Sequence, residues 1–249
     1  MTPTRTFLLE RLWRGTDPFT GFPANIYQND TQGWGSTHRF LTETIAALRP
    51  RIVVEVGVWK GASVITMAEK LRALELDAAV VAVDTWLGSC EHWLHDPWFV
   101  SLGMEQGRPA MQRTFMANIV AARLEGHVVP LPLDSLNAFQ LLGHRGIQPD
   151  IVHLDGAHDF LSVWCDLHAW WGLLRPGGVL IGDDYHTDGL WPDVRKAFDT
   201  FAAQQVWYPD RSRRAQMPDG EAGVKRRPSC RAPARGAPAA WRGLPGGGS

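Results

Sequence analysis

Residues 54–63 read Val54-Glu55-Val56-Gly57-Val58-Trp59-Lys60-Gly61-Ala62-Ser63, and this stretch decides the fold. Its start completes Ile52–Val56, a β-branched run behind Pro50 that reads as a buried strand. A turn bounded by Gly57 and Gly61 follows, then a helix over 61–74 with Val64, Met67, Ala68 and Leu71 on one face. Gly57 lets a backbone approach a ligand closely, and Gly61 opens the helix without a Cβ. Strand, tight turn and helix in this order form a nucleotide cradle. It is not a GxxxxGK[ST] phosphate loop, because Lys60 precedes the second glycine, and ExGxxxG is not the GxGxxG of nicotinamide enzymes. Glu55 beside a pyrophosphate would be repelled, so it suits an amino-acid ammonium or a neutral group better. Read blandly, Glu55 is a capping carboxylate in a tight βα turn.

Outward from this unit the pattern repeats. Strand signals fall at Ala79–Val83, 127–131, Ile151–Leu154 and 179–181. Helix signals fall at 36–48, 111–123, 135–142, 161–174 and 192–203. Five short apolar strands alternating with helices predict an α/β fold: a doubly wound, mostly parallel sheet with helices on both faces. Ligands then bind beyond the carboxyl ends of the strands, near the switch in strand order.

The 249 residues fit one such domain, and 45% hydrophobic with 20% charged residues excludes a disordered or fibrous chain. No stretch reaches the ~20 apolar residues of a membrane span, and the charged start MTPTRTFLLERLWRG has no secretory pattern. Three irregularly spaced cysteines, Cys90, Cys165 and Cys230, suit a reducing cytoplasm. Residues 211–249 carry a net charge of +7 and the rest of the chain −8. An acidic body argues against a duplex nucleic-acid partner. The organisation expected is an N-terminal cover segment over 1–35, a catalytic domain over 36–210 and a basic Pro/Gly-rich disordered tail over 211–249.

Carboxylates recur at the strand ends. Asp84 closes the second strand, where it can accept both hydroxyls of a ribose or cap the loop. Trp86 beside it could cover an adenine face or pack in the core. Asp155 ends the fourth strand in HLDGAHDF, and Asp183 and Asp184 end the fifth in LIGDDYH. Three carboxylates converging at one rim repel one another unless a hard cation such as Mg²⁺ sits between them, or unless backbone and arginine donors take them up. Such an ion binds hydroxyls of an acceptor and lowers the pKa of one. His158, three residues past Asp155, is the first candidate for general base and His186 the second. Cys90, His92 and His95 lie close together but lack a fourth ligand at suitable spacing for zinc. Trp34, Trp86, Trp93 and Trp98 could form an apolar lid that excludes water.

VEVGVWKGASVITMA, VAVDTW, DIVHLDGAH and LLRPGGVLIGDDY, in this order, resemble the class I S-adenosylmethionine-dependent methyltransferases. Within them the chain is similar to the small bacterial group of antibiotic-sugar O-methyltransferases and cephalosporin-hydroxylase-like proteins, over roughly residues 30–205. The resemblance implies a Rossmann-like methyltransferase fold. It implies that Glu55, Gly57, Gly61 and Ser63 line the methionine and ribose part of S-adenosylmethionine, that Asp84 holds the ribose, and that Asp134 and Ser135 meet the adenine. It also supports Asp155, Asp183 and Asp184 as metal ligands.

The expected activity is methyl transfer to a hydroxyl of a small molecule (a sugar, a glycosylated natural product or a phenol), with Asp155 and His158 in the chemistry. The alternative is a non-catalytic accessory protein that binds S-adenosylmethionine or a nucleotide. Relatives of this kind end the sheet with two further strands. Here only Gln205 to Tyr208 offers a candidate, so the final strand is expected to be missing, or the sheet to be closed by a second copy in a homo-oligomer.

Overall fold

The computed structural model describes residues 2–33, 36–186, 189 and 191–205, together with the backbone of 224–226. Strands β1 (Ile52–Val56), β2 (Ala79–Val83), β3 (Val128–Leu131), β4 (Ile151–Leu154), β5 (Val179–Gly182) and β6 (Val224–Arg226) form one sheet. Their spatial order is β3-β2-β1-β4-β5-β6. The first five are parallel, and β6 pairs antiparallel with β5. This corrects the expectation of a missing final strand: Val224 lies opposite Ile181 and Arg226 opposite Val179. Of the candidate strand Gln205 to Tyr208, Gln205 belongs to a helix and the rest lies outside the described residues.

Alternation along each strand builds two cores. Val54, Val56, Val81, Val83, Val129, Val152, Leu154 and Leu180 face one side, against α7 (Ser135–His144), α8 (Phe160–Leu173) and α9 (Pro192–Gln205). Val53, Val80, Ala82, Val128, Ile151, Val179 and Ile181 face the other, against α2 (Arg39–Leu48), α3 (Ala62–Ala73) and α6 (Met111–Ala121). Strands covered on both faces are why these runs are mostly apolar.

The N-terminal segment folds onto the same body. Its helix α1 (Pro3–Trp13) covers the outer edge of the sheet. Arg5 Nε donates to the Val128 carbonyl at 3.0 Å and Trp13 Nε1 to the Pro130 carbonyl at 2.9 Å, so the open edge of β3 finds donors. The fully buried Arg5 guanidinium also holds Asp17 at 2.7 and 2.8 Å. Farther along, Lys60 Nζ grips Asp30 and, at 2.6 Å, Gln32 Oε1, while Asn118 exchanges hydrogen bonds with the Asp30 backbone. These contacts strap residues 30–32 against the β1–α3 turn.

Candidate active site

Strand order reverses between β1 and β4, and the carboxyl ends of these neighbours open a crevice. Gly57 leaves β1 with φ 82°, and a Cβ there would lie 2.0 Å from the Asp155 carbonyl oxygen. Only glycine allows the two loops to approach this closely. Beyond them lies a cavity of about 1020 Å³. It is lined at one end by Leu133, Asp134, Ser135 and Asp166, and at the other by Asp155, His158, Asp183, Asp184, His186 and Trp191. Gly57, Ser63 and Asp84 line its middle, and residues 31–33 of the strap face it.

Several expected residues serve the scaffold. Glu55 is fully buried; its Oε1 accepts from Ser63 Oγ and Oε2 has no hydrogen-bond partner. Gly61 enters α3 with φ 87° against the Phe115 ring and does not line the cavity. Asp84 Oδ2 accepts from the amides of Val58 (2.8 Å) and Trp59 (2.9 Å), and Oδ1 from that of Trp86 (2.7 Å). Its carboxylate therefore fixes the β1–α3 turn, and burial raises its pKa despite these bonds. Trp86 is corrected from a cover over the cavity to a core residue. Its positive φ of 53° turns the ring inward, where Nε1 donates to the Trp59 carbonyl and the indole packs on Phe115.

Of the expected aromatic lid, Trp98 lines the cavity, Trp93 is half exposed against Phe99, and Trp34 lies outside the described residues. Trp59 and Trp191, which sequence reasoning passed over, take the remaining places. His92 stacks on Trp59 with centroids 4.3 Å apart, and its Nδ1 caps α4 (Cys90–Leu94) through Ser89.

The acidic rim assembles as expected, but around histidines. His153, another residue sequence reasoning missed, sits in β4 beside Glu55 in register. Its Nδ1 lies 3.3 Å from Glu55 Oε1 and its Nε2 3.5 Å from Asp183 Oδ2. Burial alone would lower its pKa, yet these two carboxylates hold it well above the usual value, as an imidazolium. The same contact keeps Asp183 ionised against the cost of its burial.

His158 is gripped on both nitrogens, by Glu91 at 3.1 Å and Asp184 at 2.9 Å, and stacks on Trp191 at 4.0 Å. Burial opposes its charge, but the carboxylates raise its pKa overall. Both ring nitrogens are thus engaged by carboxylates of the rim and of the α4 insertion. His186 Nε2 lies 3.4 Å from Asp184 Oδ1. Asp155 differs from its neighbours: no described residue hydrogen-bonds its carboxylate, which faces the cavity. Burial, reinforced by the charge of Asp183, lifts its pKa well above the carboxylate range.

Three carboxylates are hard oxygen donors, and the mutual repulsion felt by Asp155 is what a divalent cation relieves, so the donor set fits Mg²⁺ in chemistry. As the side chains stand, no group of three His, Cys, Asp or Glu among the described residues is drawn together around one point.

A profile of the methyltransferase domain family matches residues 54–185, more than half of the chain, and the chain belongs to this family. It is an enzyme of the methyltransferase class with the Rossmann-like fold. Among solved structures, the O-methyltransferase NovP superposes with a TM-score of 0.54 at 22% identity, covering 76% of this chain and 77% of that one. The O-methyltransferase from Bacillus cereus in complex with S-adenosylhomocysteine gives 0.50 at 18% identity, covering 80% and 86%. The O-methyltransferase TomG from Streptomyces achromogenes, involved in tomaymycin synthesis and bound to S-adenosylmethionine, gives 0.50 at 16%, covering 80% and 84%. An uncharacterized protein, y4gI of Sinorhizobium fredii, is 28% identical over 154 residues; they span 59% of this chain but only 15% of that much longer protein. No helix among the described residues is long and apolar enough to cross a membrane.

Proposed function

We propose that the protein transfers the methyl group of S-adenosylmethionine to a hydroxyl of a small molecule, giving a methyl ether and S-adenosylhomocysteine. One observation carries this reading: a single cavity joins the Gly57 turn to Asp155, a rim carboxylate that no described residue hydrogen-bonds. Structural relatives with S-adenosylmethionine or S-adenosylhomocysteine bound support the choice of donor.

In this proposal the donor lies from the Asp134–Ser135 end to the Gly57 turn, with its sulfonium toward the rim. The acceptor is a sugar, a glycosylated natural product or a phenol, held against Trp98 and Trp191, whose rings supply flat apolar faces. Asp155 takes the hydroxyl proton as the oxygen attacks the methyl carbon and the C–S bond breaks. His158, clamped by Glu91 and Asp184, fixes the rim and ties the α4 insertion over the site. The wall of aromatic rings keeps water from the sulfonium. Asp155, Asp183 and Asp184 would hold Mg²⁺, which when bound lowers the pKa of the acceptor hydroxyl. The reaction needs no membrane and no nucleic acid, and we assign it to the cytoplasm.

The test is transfer of labelled methyl groups from S-adenosylmethionine to a panel of sugars and phenols. Asp155→Asn should lower turnover by roughly 10²- to 10⁴-fold while leaving S-adenosylhomocysteine affinity nearly unchanged. No transfer to any acceptor, or full turnover by Asp155→Asn, would refute the proposal, and equal rates with and without a chelator would remove the metal from it.

A further inference from the structure

One buried carboxylate plays no part in this chemistry. Helix α8 turns a stripe of Val163, Asp166, Leu167, Trp170 and Leu173 toward the core. Four of these five residues are apolar; Asp166 is 8% exposed and lines the cavity. An ionisable group on the buried stripe of an otherwise apolar helix costs stability, and stability alone gives no reason to keep it.

Its surroundings define what it can do. Ser135 Oγ donates to Asp166 Oδ1 and accepts from Trp170 Nε1 at 2.8 Å, so the hydroxyl is committed and that half of the carboxylate is fixed. Asp166 Oδ2 has no hydrogen-bond partner among the described residues. It faces the loop after β4: a Cβ at Gly156, itself a cavity-lining residue, would lie 3.9 Å from it. Asp134, next to Ser135, is engaged on both oxygens. Its Oδ1 accepts from the Asn137 amide at 3.0 Å and its Oδ2 from the Asn137 side chain, which spends it on capping α7. The cavity wall therefore holds one acceptor oxygen with open capacity on a fixed, largely buried side chain, and Leu133, Leu136 and Ser162 line the same cavity.

We propose that Asp166 is the specificity residue for the nucleobase of the methyl donor, accepting a hydrogen bond from an exocyclic amine such as the 6-amino group of adenine. The inference rests on the donor placement given above and adds to it the residue that reads the base. A buried acceptor selects strongly, because a ligand presenting another acceptor leaves both groups unpaired. Burial raises Asp166 to about 6, so above neutral pH it is the ionised, stronger acceptor.

The experiment is calorimetric titration of the full chain near pH 8 with S-adenosylhomocysteine and with S-inosylhomocysteine, in which a carbonyl replaces the 6-amino group. The wild type should bind the adenine compound about 10- to 100-fold more tightly. Asp166→Asn, whose amide can donate to the carbonyl, should lose most of that preference. Equal affinity of the wild type for the two compounds overturns the proposal without need of any variant. So does a folded Asp166→Asn that keeps the full preference. In both cases binding of S-adenosylhomocysteine leaves the donor site itself standing, whereas failure of folded wild type to bind either compound overturns the donor placement as well.

Discussion

Replacing Asp166 by Asn should make the ligand-free protein more stable, and the size of the effect follows from the site. Asp166 titrates at about 6 in the fold against an ordinary value of 3.8, mainly through burial, with Asp134 and Asp159 adding repulsion. A shift of about two units, at ~1.4 kcal/mol per unit, makes the ionised group an internal cost of about 3 kcal/mol at high pH. The sign follows from linkage. The folded pKa is raised, so the protonated group's contribution is fully present below about pH 4 and is lost as pH rises through 6. Asn removes the charge while its carbonyl still accepts from Ser135. The weaker, uncharged hydrogen bond returns about 1 kcal/mol, leaving a net gain of about 1–2 kcal/mol at pH 8. For a domain of this size that raises the melting temperature by roughly 2–8 °C. Urea denaturation of both proteins at pH 8 and pH 5 is the assay, and the gain at pH 5 should be about a third of that at pH 8. A variant less stable than wild type at pH 8, or a difference that ignores pH, would refute the reasoning.

Two other perturbations test the scaffold around the site. Arg5→Met strips the β3 edge and Asp17 of their donor, which should cost about 3 kcal/mol in denaturant titrations. Because Arg5 holds the Asp17 pKa below its usual value, the ion-pair share of that loss should fade as pH falls through the Asp17 titration. Lys60→Met releases Asp30 and Gln32, so limited proteolysis should cut residues 27–33 faster, and S-adenosylhomocysteine affinity should drop roughly 3- to 10-fold.

The sheet was legible because buried parallel strands write themselves as short, mostly apolar, Val- and Ile-rich runs: Ile52–Val56 and Ala79–Val83 lie where the pattern predicts. The strand-end carboxylates were legible for the same reason, since position in a doubly wound sheet sets what reaches the rim. β6 was not, because three residues in an Arg-, Pro- and Gly-rich stretch, paired with β5 through backbone bonds, carry no periodic signal. His153 was hidden inside an apolar strand, although its pairing opposite Glu55 would have exposed two buried polar groups side by side. Asp166 could have been found as the lone acid on the core stripe of FLSVWCDLHAWWGL. Trp86 misled because its backbone turns the ring inward, and nothing in VAVDTW announces a positive φ. His158 stood where expected, but its partner Glu91 comes from an insertion 67 residues earlier, a contact only the fold creates.

A crystal structure with S-adenosylhomocysteine bound would show where the donor lies. The adenine should lie beside Ser135 and Asp166, with the chain running past Gly57 and the sulfur turned toward Asp155. A nucleoside bound outside this cavity, or a sulfur facing away from the acidic rim, would contradict that placement.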